Sequence, residues 1–109
     1  MTDWKAITEQ INLIFISAKS HLEKETIQSI EHYIHHSEYE MALEIILLSL
    51  IKIKKYPSGV EKENIIYIVK ELKLDIENVY DDHFWEKFNQ WIKYYPNFSY
   101  PDKTLGKIG

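Results

Sequence analysis

Between Tyr39 and Ile53 the chain reads YEMALEIILLSLIKI, a stretch with helical spacing that is apolar on almost every side. Tyr39, Ala42, Leu43, Ile46, Leu47, Leu50 and Ile53 make one face, and Met41, Ile45, Leu48 and Ile51 cover much of the remainder. A helix of this kind is stable in water only when neighbours cover it on several sides. Its apolar run is broken by Ser49 and Lys52 and falls far short of the ~20 residues that span a bilayer. The stretch therefore predicts the central post of a helical bundle. Lys52, Lys54 and Lys55 put positive charge where the helix dipole is negative, and Pro57 and Gly59 end the run.

The flanking sequence keeps the same period. Trp4, Ile7, Ile11, Ile14, Phe15, Ala18 and Leu22 form one stripe, with Thr2 or Asp3 as its cap. A second helix is predicted over about 23–36, with Ile27, Ile30 and Ile34 facing inward. Ser37-x-x-Glu40 is a capping-box pattern and predicts Ser37 as the N-cap of the third helix. A fourth helix is expected over about 60–72, carried by Ile65, Ile68, Val69 and Leu72, and a short turn at Leu74–Glu77 leads into a brief helical segment. The last helix is expected over about 82–95, with Phe84, Phe88, Trp91, Ile92 and Tyr95 inward, Asp81 or Asp82 capping it and Pro96 ending it. No stretch keeps a period of two. With 109 residues, 45% of them hydrophobic, the chain suits one domain with a real core. The reading is an all-α, single-domain bundle of five or six helices over residues 1–95, followed by an irregular C-terminal arm, 96–109, in which Phe98 and Tyr100 pin the first part to the body.

Composition removes several kinds of chemistry. There is no Cys, hence no disulfide, no thiol nucleophile and no zinc–thiolate site. None of the serines sits in a Gly-x-Ser-x-Gly elbow, and Gly occurs only at 59, 106 and 109, too sparsely for a phosphate-cradling loop. His32 and His36 have the i, i+4 spacing of metal ligands, but the spacing equally suits a solvated helix end, where His complements the dipole. We expect no enzyme, no metal site and no cofactor. The net charge is −4, and all 13 basic residues are Lys. An acidic chain without Arg has little with which to grip phosphate or read guanine, so direct nucleic-acid binding is not expected. No membrane segment is expected either, and the first ten residues lack the basic start of a secretory signal, so a cytoplasmic location is the expectation.

The charge pattern is more informative. From Asp75 to Glu86 there are five acids and no Lys; from Glu23 to Glu44 there are six acids and one Lys. Aromatic residues, 14% of the chain, are interleaved with them. Most such acids are ordinary solvated surface. Tyr and Trp set among acids are also what a docking patch for a basic partner uses. The first candidate patch is Asp75, Glu77, Tyr80, Asp81, Asp82, Trp85 and Glu86. The alternative is Glu31, His35, Glu38 and Tyr39. The Met41/Ile45/Leu48 face, wherever neighbours leave it bare, offers a surface for a homodimer.

The run His36-Ser37-Glu38-Tyr39-Glu40-Met41-Ala42-Leu43-Glu44 resembles a signature of small bacterial immunity proteins encoded beside polymorphic toxins, including contact-dependent growth inhibition and Maf-type systems. Their Gly-Glu-Tyr-x-x-Ala-x-Glu pattern joins two helices near the middle of the chain, and Ser37 stands here where the pattern has Gly. The likeness covers about Ile27 to Tyr95 as an order of elements. It implies a bundle in which Tyr39, Ala42 and Leu43 face the core and Glu40 caps. It further implies a cytoplasmic protein that binds a cognate toxin domain, basic and a nuclease, and neutralises it by covering the active site or the nucleic-acid path. The competing reading is a helical adaptor or regulatory module; a metal-binding or enzymatic helical domain ranks below both.

Overall fold

A computed structural model describes residues 2–96. Among these residues five α-helices follow one another: α1 (Trp4–Ala18), α2 (Lys24–His35), α3 (Tyr39–Ile53), α4 (Lys62–Glu71) and α5 (Phe84–Lys93), with one 3-10 turn, Lys19–His21, between α1 and α2. Among the described residues there is no strand. The expected docking of Phe98 and Tyr100 lies outside the described residues.

The all-round apolar helix is the central one. α3 packs against α1, α2 and α5, while α4 lies on α1. Ala42, Leu43, Ile46, Leu47 and Leu50 are fully buried, and Ile45, Leu48 and Ile51 are half-buried against the same core. α1 contributes Ile7, Ile11, Ile14, Phe15 and Ala18; α5 contributes Phe84, Phe88, Trp91 and Ile92. Asp3 caps α1 as expected, its Oδ1 accepting the Ala6 N–H at 3.1 Å. Trp4, placed by its spacing on the inner stripe, is instead half exposed at the first turn, its ring centroid 5.9 Å from that of Tyr39.

The capping-box expectation at Ser37 fails, and the geometry shows why. Ser37 is left-handed, φ 59°, and closes α2 rather than opening α3. The Glu38 N–H donates to the Tyr33 carbonyl at 2.8 Å and the Ser37 N–H to the Ile34 carbonyl at 3.0 Å, the double bond of a Schellman closure. Glu38 is the N-cap of α3, with no side-chain capping bond, so Glu40 makes no reciprocal one. The same closure recurs twice. Lys54 (φ 58°) ends α3 with Lys55 N–H donating to the Leu50 carbonyl, and Lys73 (φ 61°) ends α4 with Leu74 N–H donating to the Val69 carbonyl. A chain this poor in glycine makes its left-handed stops with Ser and Lys.

The second half is fastened to the first by aromatic hydrogen bonds. After Pro57, which is buried, the chain turns at Gly59 (φ 76°). Trp91 Nε1 donates to the Lys55 carbonyl at 2.9 Å, the Tyr56 hydroxyl donates to the Trp91 carbonyl at 3.0 Å, and the Tyr95 hydroxyl donates to the Val60 carbonyl. On the other side, Ser17 Oγ accepts the Ser58 N–H at 2.7 Å. These bonds satisfy backbone groups that the break in helix leaves open.

Candidate functional site

The expected helical segment after Leu74 is only a single turn. Lys73 reverses the backbone, the Glu77 N–H donates to its carbonyl at 2.8 Å, and the chain then runs as a loop to His83. That loop carries most of the first candidate patch. It is fixed by a residue the sequence reading had counted among the surface acids. Glu44 is fully buried in α3, 0% exposed. Its Oε1 accepts the Val79 N–H at 2.9 Å, and its Oε2 accepts the Tyr80 and Asp81 N–H groups, each at 3.0 Å. A buried carboxylate is very costly unless its oxygens are occupied. Here three backbone donors occupy both, and the loop gains partners for amides that no regular structure would satisfy.

Glu44 therefore leaves the acidic face of α2 and α3, and it holds a projecting loop from inside. Ile76 is 74% exposed, Val79 66% and Tyr80 45%. These three apolar side chains stand out among Asp75, Glu77 and Asp82, of which Glu77 and Asp82 are exposed. The Tyr80 hydroxyl meets that of Tyr33 on α2, the rings lying edge to face with centroids 6.3 Å apart. Partial burial, then the bond to Tyr33, push the Tyr80 hydroxyl up to about 12, and the Glu44 and Glu38 carboxylates add to the effect.

The other members of the first patch divide. Asp81 is tied into its own loop: Oδ1 accepts the His83 N–H at 2.8 Å and Oδ2 pairs with Lys87. The Lys87 ammonium first, and then the His83 N–H, hold its carboxyl below the usual carboxylate range. Neither Asp81 nor Asp82 is the N-cap of α5. That position is His83, and Asp81 caps the turn leading into it. The Lys-free run in the sequence is thus partly neutralised in space, because Lys87, just beyond it, reaches back to Asp81 six residues earlier. Glu86 is exposed and pairs with His83 at 3.5 Å. Trp85 is half-buried, its ring stacked on Phe88 at 5.7 Å, so core packing claims much of it.

The alternative patch splits as well. The Glu38 carboxylate is close enough to act electrostatically on the Tyr80 hydroxyl, and Tyr39 lies on Trp4. Glu31 and His35 each stand two residues from Tyr33, about 200° around α2. Glu31 pairs there with Lys19 at 3.5 Å. The structure thus merges half of one patch with half of the other. A hollow of about 420 Å³ between the start of α1, the first turn of α3 and the loop adds Trp4 and Glu40 to the same surface, beside Glu77 and Val79. Ile76 and Val79 were missed because the sequence reading weighed acids and aromatics. Their signal was two large aliphatics in a segment with no helical partner position. Ile45 and Leu48, on the face considered for a homodimer, floor a shallow hollow beside Tyr80 and Ser29.

Among the described residues no group of three His, Asp or Glu side chains converges in a way that could hold a metal ion. His32 and His36 have ring centroids 4.4 Å apart, with His36 Nδ1 hydrogen-bonded to the His32 carbonyl. Among the described residues no helix is long and apolar enough to cross a membrane. No protein-family model, no curated protein and no solved structure matches the chain.

Proposed function

We propose that this protein is a non-enzymatic immunity protein that binds a cognate toxin domain, basic and a nuclease, and neutralises it by covering its active site or nucleic-acid path. The observation that carries the reading is the loop 76–82: exposed Ile76, Val79 and Tyr80, edged by acids, on a backbone held rigid by the buried Glu44. Apolar residues displayed on a fixed backbone suit a docking anchor, because little ordering entropy is left to lose on binding. An acidic rim steers a basic partner toward it and speeds capture. The resemblance around Ser37–Glu44 supports the same reading, since its last Glu is the residue that sets the loop.

The test is binding to the toxin domain encoded beside this gene, followed by kinetics, with the toxin's activity measured in parallel. The wild-type chain is expected to bind and inhibit. Ile76→Ala with Val79→Ala should raise the off-rate by about thirtyfold or more if the pair forms a hot spot. Both side chains are exposed, so the melting temperature should stay put. Asp82→Lys with Glu77→Lys should slow association and flatten its salt dependence. A wild-type chain that neither binds nor inhibits that domain overturns the proposal.

A further inference from the structure

The acid-edged loop lies near the start of α3. The other end of that helix has the opposite chemistry. A groove of about 600 Å³ runs between the C-terminal end of α3 and the second half of α5, lined by Ile51, Lys54, Tyr56, Lys87, Trp91 and Tyr94, with Gln90 between them. Its surface is largely aromatic. Tyr56 is stacked on Trp91 with ring centroids 4.9 Å apart, and Tyr94 is 71% exposed. The charged side chains lining it are Lys54 and Lys87, and no acid is among the described lining residues, although Asp81 pairs with Lys87 from outside the groove, in a chain whose net charge is −4. Lys52, Lys54 and Lys55 have no ion-pair partner among the described residues, and Lys87 shares Asp81.

We propose that this groove receives an acidic amphipathic helix of a protein partner. Lys87, Gln90 and Trp91 of α5, with Tyr94 at its C-cap, fall at i, i+3, i+4 and i+7, the spacing of a ridge against which another helix packs. α3 and Tyr56 supply the opposite wall, so the trough lies between two elements, as helix-in-groove sites do. The apolar face of the incoming helix meets Ile51, Tyr56 and Tyr94, with the buried Trp91 beneath Tyr56. Its acidic flanks meet Lys54 on one side and Lys87 on the other, where a carboxylate competes with Asp81 for the ammonium. The occupant is acidic because the rim is basic. This surface meets the loop 76–82, whose complement is a basic partner, only at the Lys87–Asp81 pair, and the variants that test it leave Ile76, Glu77, Val79 and Asp82 untouched.

Fluorescence anisotropy on the full chain tests it with two labelled peptides. One carries Leu and Phe at i, i+3, i+4 and i+7 with Glu elsewhere; the other has Lys in place of every Glu. The acidic peptide should bind at least tenfold more tightly and lose affinity as salt rises. Lys54→Glu and Tyr94→Ala should each weaken it at least tenfold; the exposed Tyr94 can be cut back with the melting temperature unchanged, whereas Lys54→Glu lowers it slightly by reversing a charge at the C-terminal end of α3. Equal affinity for the two peptides, absence of binding, or indifference to both substitutions overturns the proposal. Self-association in sedimentation that Tyr94→Ala abolishes assigns the groove to a second copy. Tighter peptide binding by Phe98→Ser with Tyr100→Ser assigns it to the chain's own C-terminal arm. Either result also overturns the proposal.

Discussion

The buried carboxylate of Glu44 accepts the backbone N–H of Tyr80 at 3.0 Å, while the phenol of the same tyrosine reaches across to Tyr33. One loop residue is thereby held by α3 through its backbone and by α2 through its side chain. Glu44→Gln keeps the shape but turns an acceptor into an N–H₂ that must face a backbone N–H. It should cost about 2–3 kcal/mol, because at least one buried bond is lost and a donor is left facing a donor. Urea denaturation measures this; a stability equal to wild type would show that the carboxylate does not hold the loop.

Ser37, Lys54 and Lys73 all occupy the left-handed region without being glycine. Each Cβ there crowds the neighbouring carbonyl, and glycine relieves this at some cost in unfolded-state entropy. Ser37→Gly, Lys54→Gly and Lys73→Gly should each raise stability by about 0.5–1 kcal/mol and add together, since the three sites are separate. Ser37→Ala should be close to neutral, because no capping bond of the hydroxyl is lost. A loss of a full kcal/mol on Ser37→Ala would restore the hydroxyl to a capping role.

Asp81 gives the molecule an acid-side dependence. Its carboxyl sits below the unfolded value of 3.8 because Lys87 and the His83 N–H favour the charged form. The stability this contributes is fully present above the unfolded value and is lost as pH falls through the lower, folded one. Asp81→Asn should flatten the melting temperature's decline below about pH 4 relative to wild type. An identical acid limb in both proteins would place the sensitivity elsewhere.

Tyr95 sets an alkaline limit. Burial pushes its hydroxyl from 10.0 up to about 12. An acid whose folded value is raised stabilises the fold fully below the unfolded value, and that contribution disappears as pH climbs through the folded one. Wild type should therefore lose stability progressively between pH 10 and pH 12. Tyr95→Phe should be less stable at neutral pH by about 1 kcal/mol, through the lost bond to the Val60 carbonyl, and less sensitive in that alkaline range. Parallel curves for the two proteins would count against the phenol as the titrating group.

The helices were legible because burial is written as spacing. Ile7, Ile11 and Ile14, or Phe84, Phe88 and Trp91, can share a face only at a period near 3.6. The candidate surface was half legible. Its acids and Tyr80 show in the sequence, but Glu44 does not. An acid between Leu43 and Ile45 reads as a solvent-facing position unless one knows that backbone amides 35 to 37 residues away will surround it. Ser37 misled for a related reason: Ser-x-x-Glu has the same letters whether the serine opens one helix or closes the previous one. Only the backbone angle distinguishes the two.

The Glu44 bonds and those of Tyr56, Trp91 and Tyr95, which tie the second half of the molecule to α3 and the chain that follows it, join residues 35 to 37 apart in sequence. α1, α2 and α3 are linked by short turns and can assemble locally, whereas these bonds require a long loop to close first. On this ground α5 is expected to dock after α1, α2 and α3 have assembled. In reverse, release of α5 is expected to free the loop from Glu44 and to open the aromatic clasp together, with residues 79–95 opening as a single cooperative unit. In hydrogen exchange, the amides of Val79, Tyr80 and Asp81 would then share the protection of a helix although they belong to a loop. Whatever docks on that loop meets a surface whose ordering was completed when the chain folded.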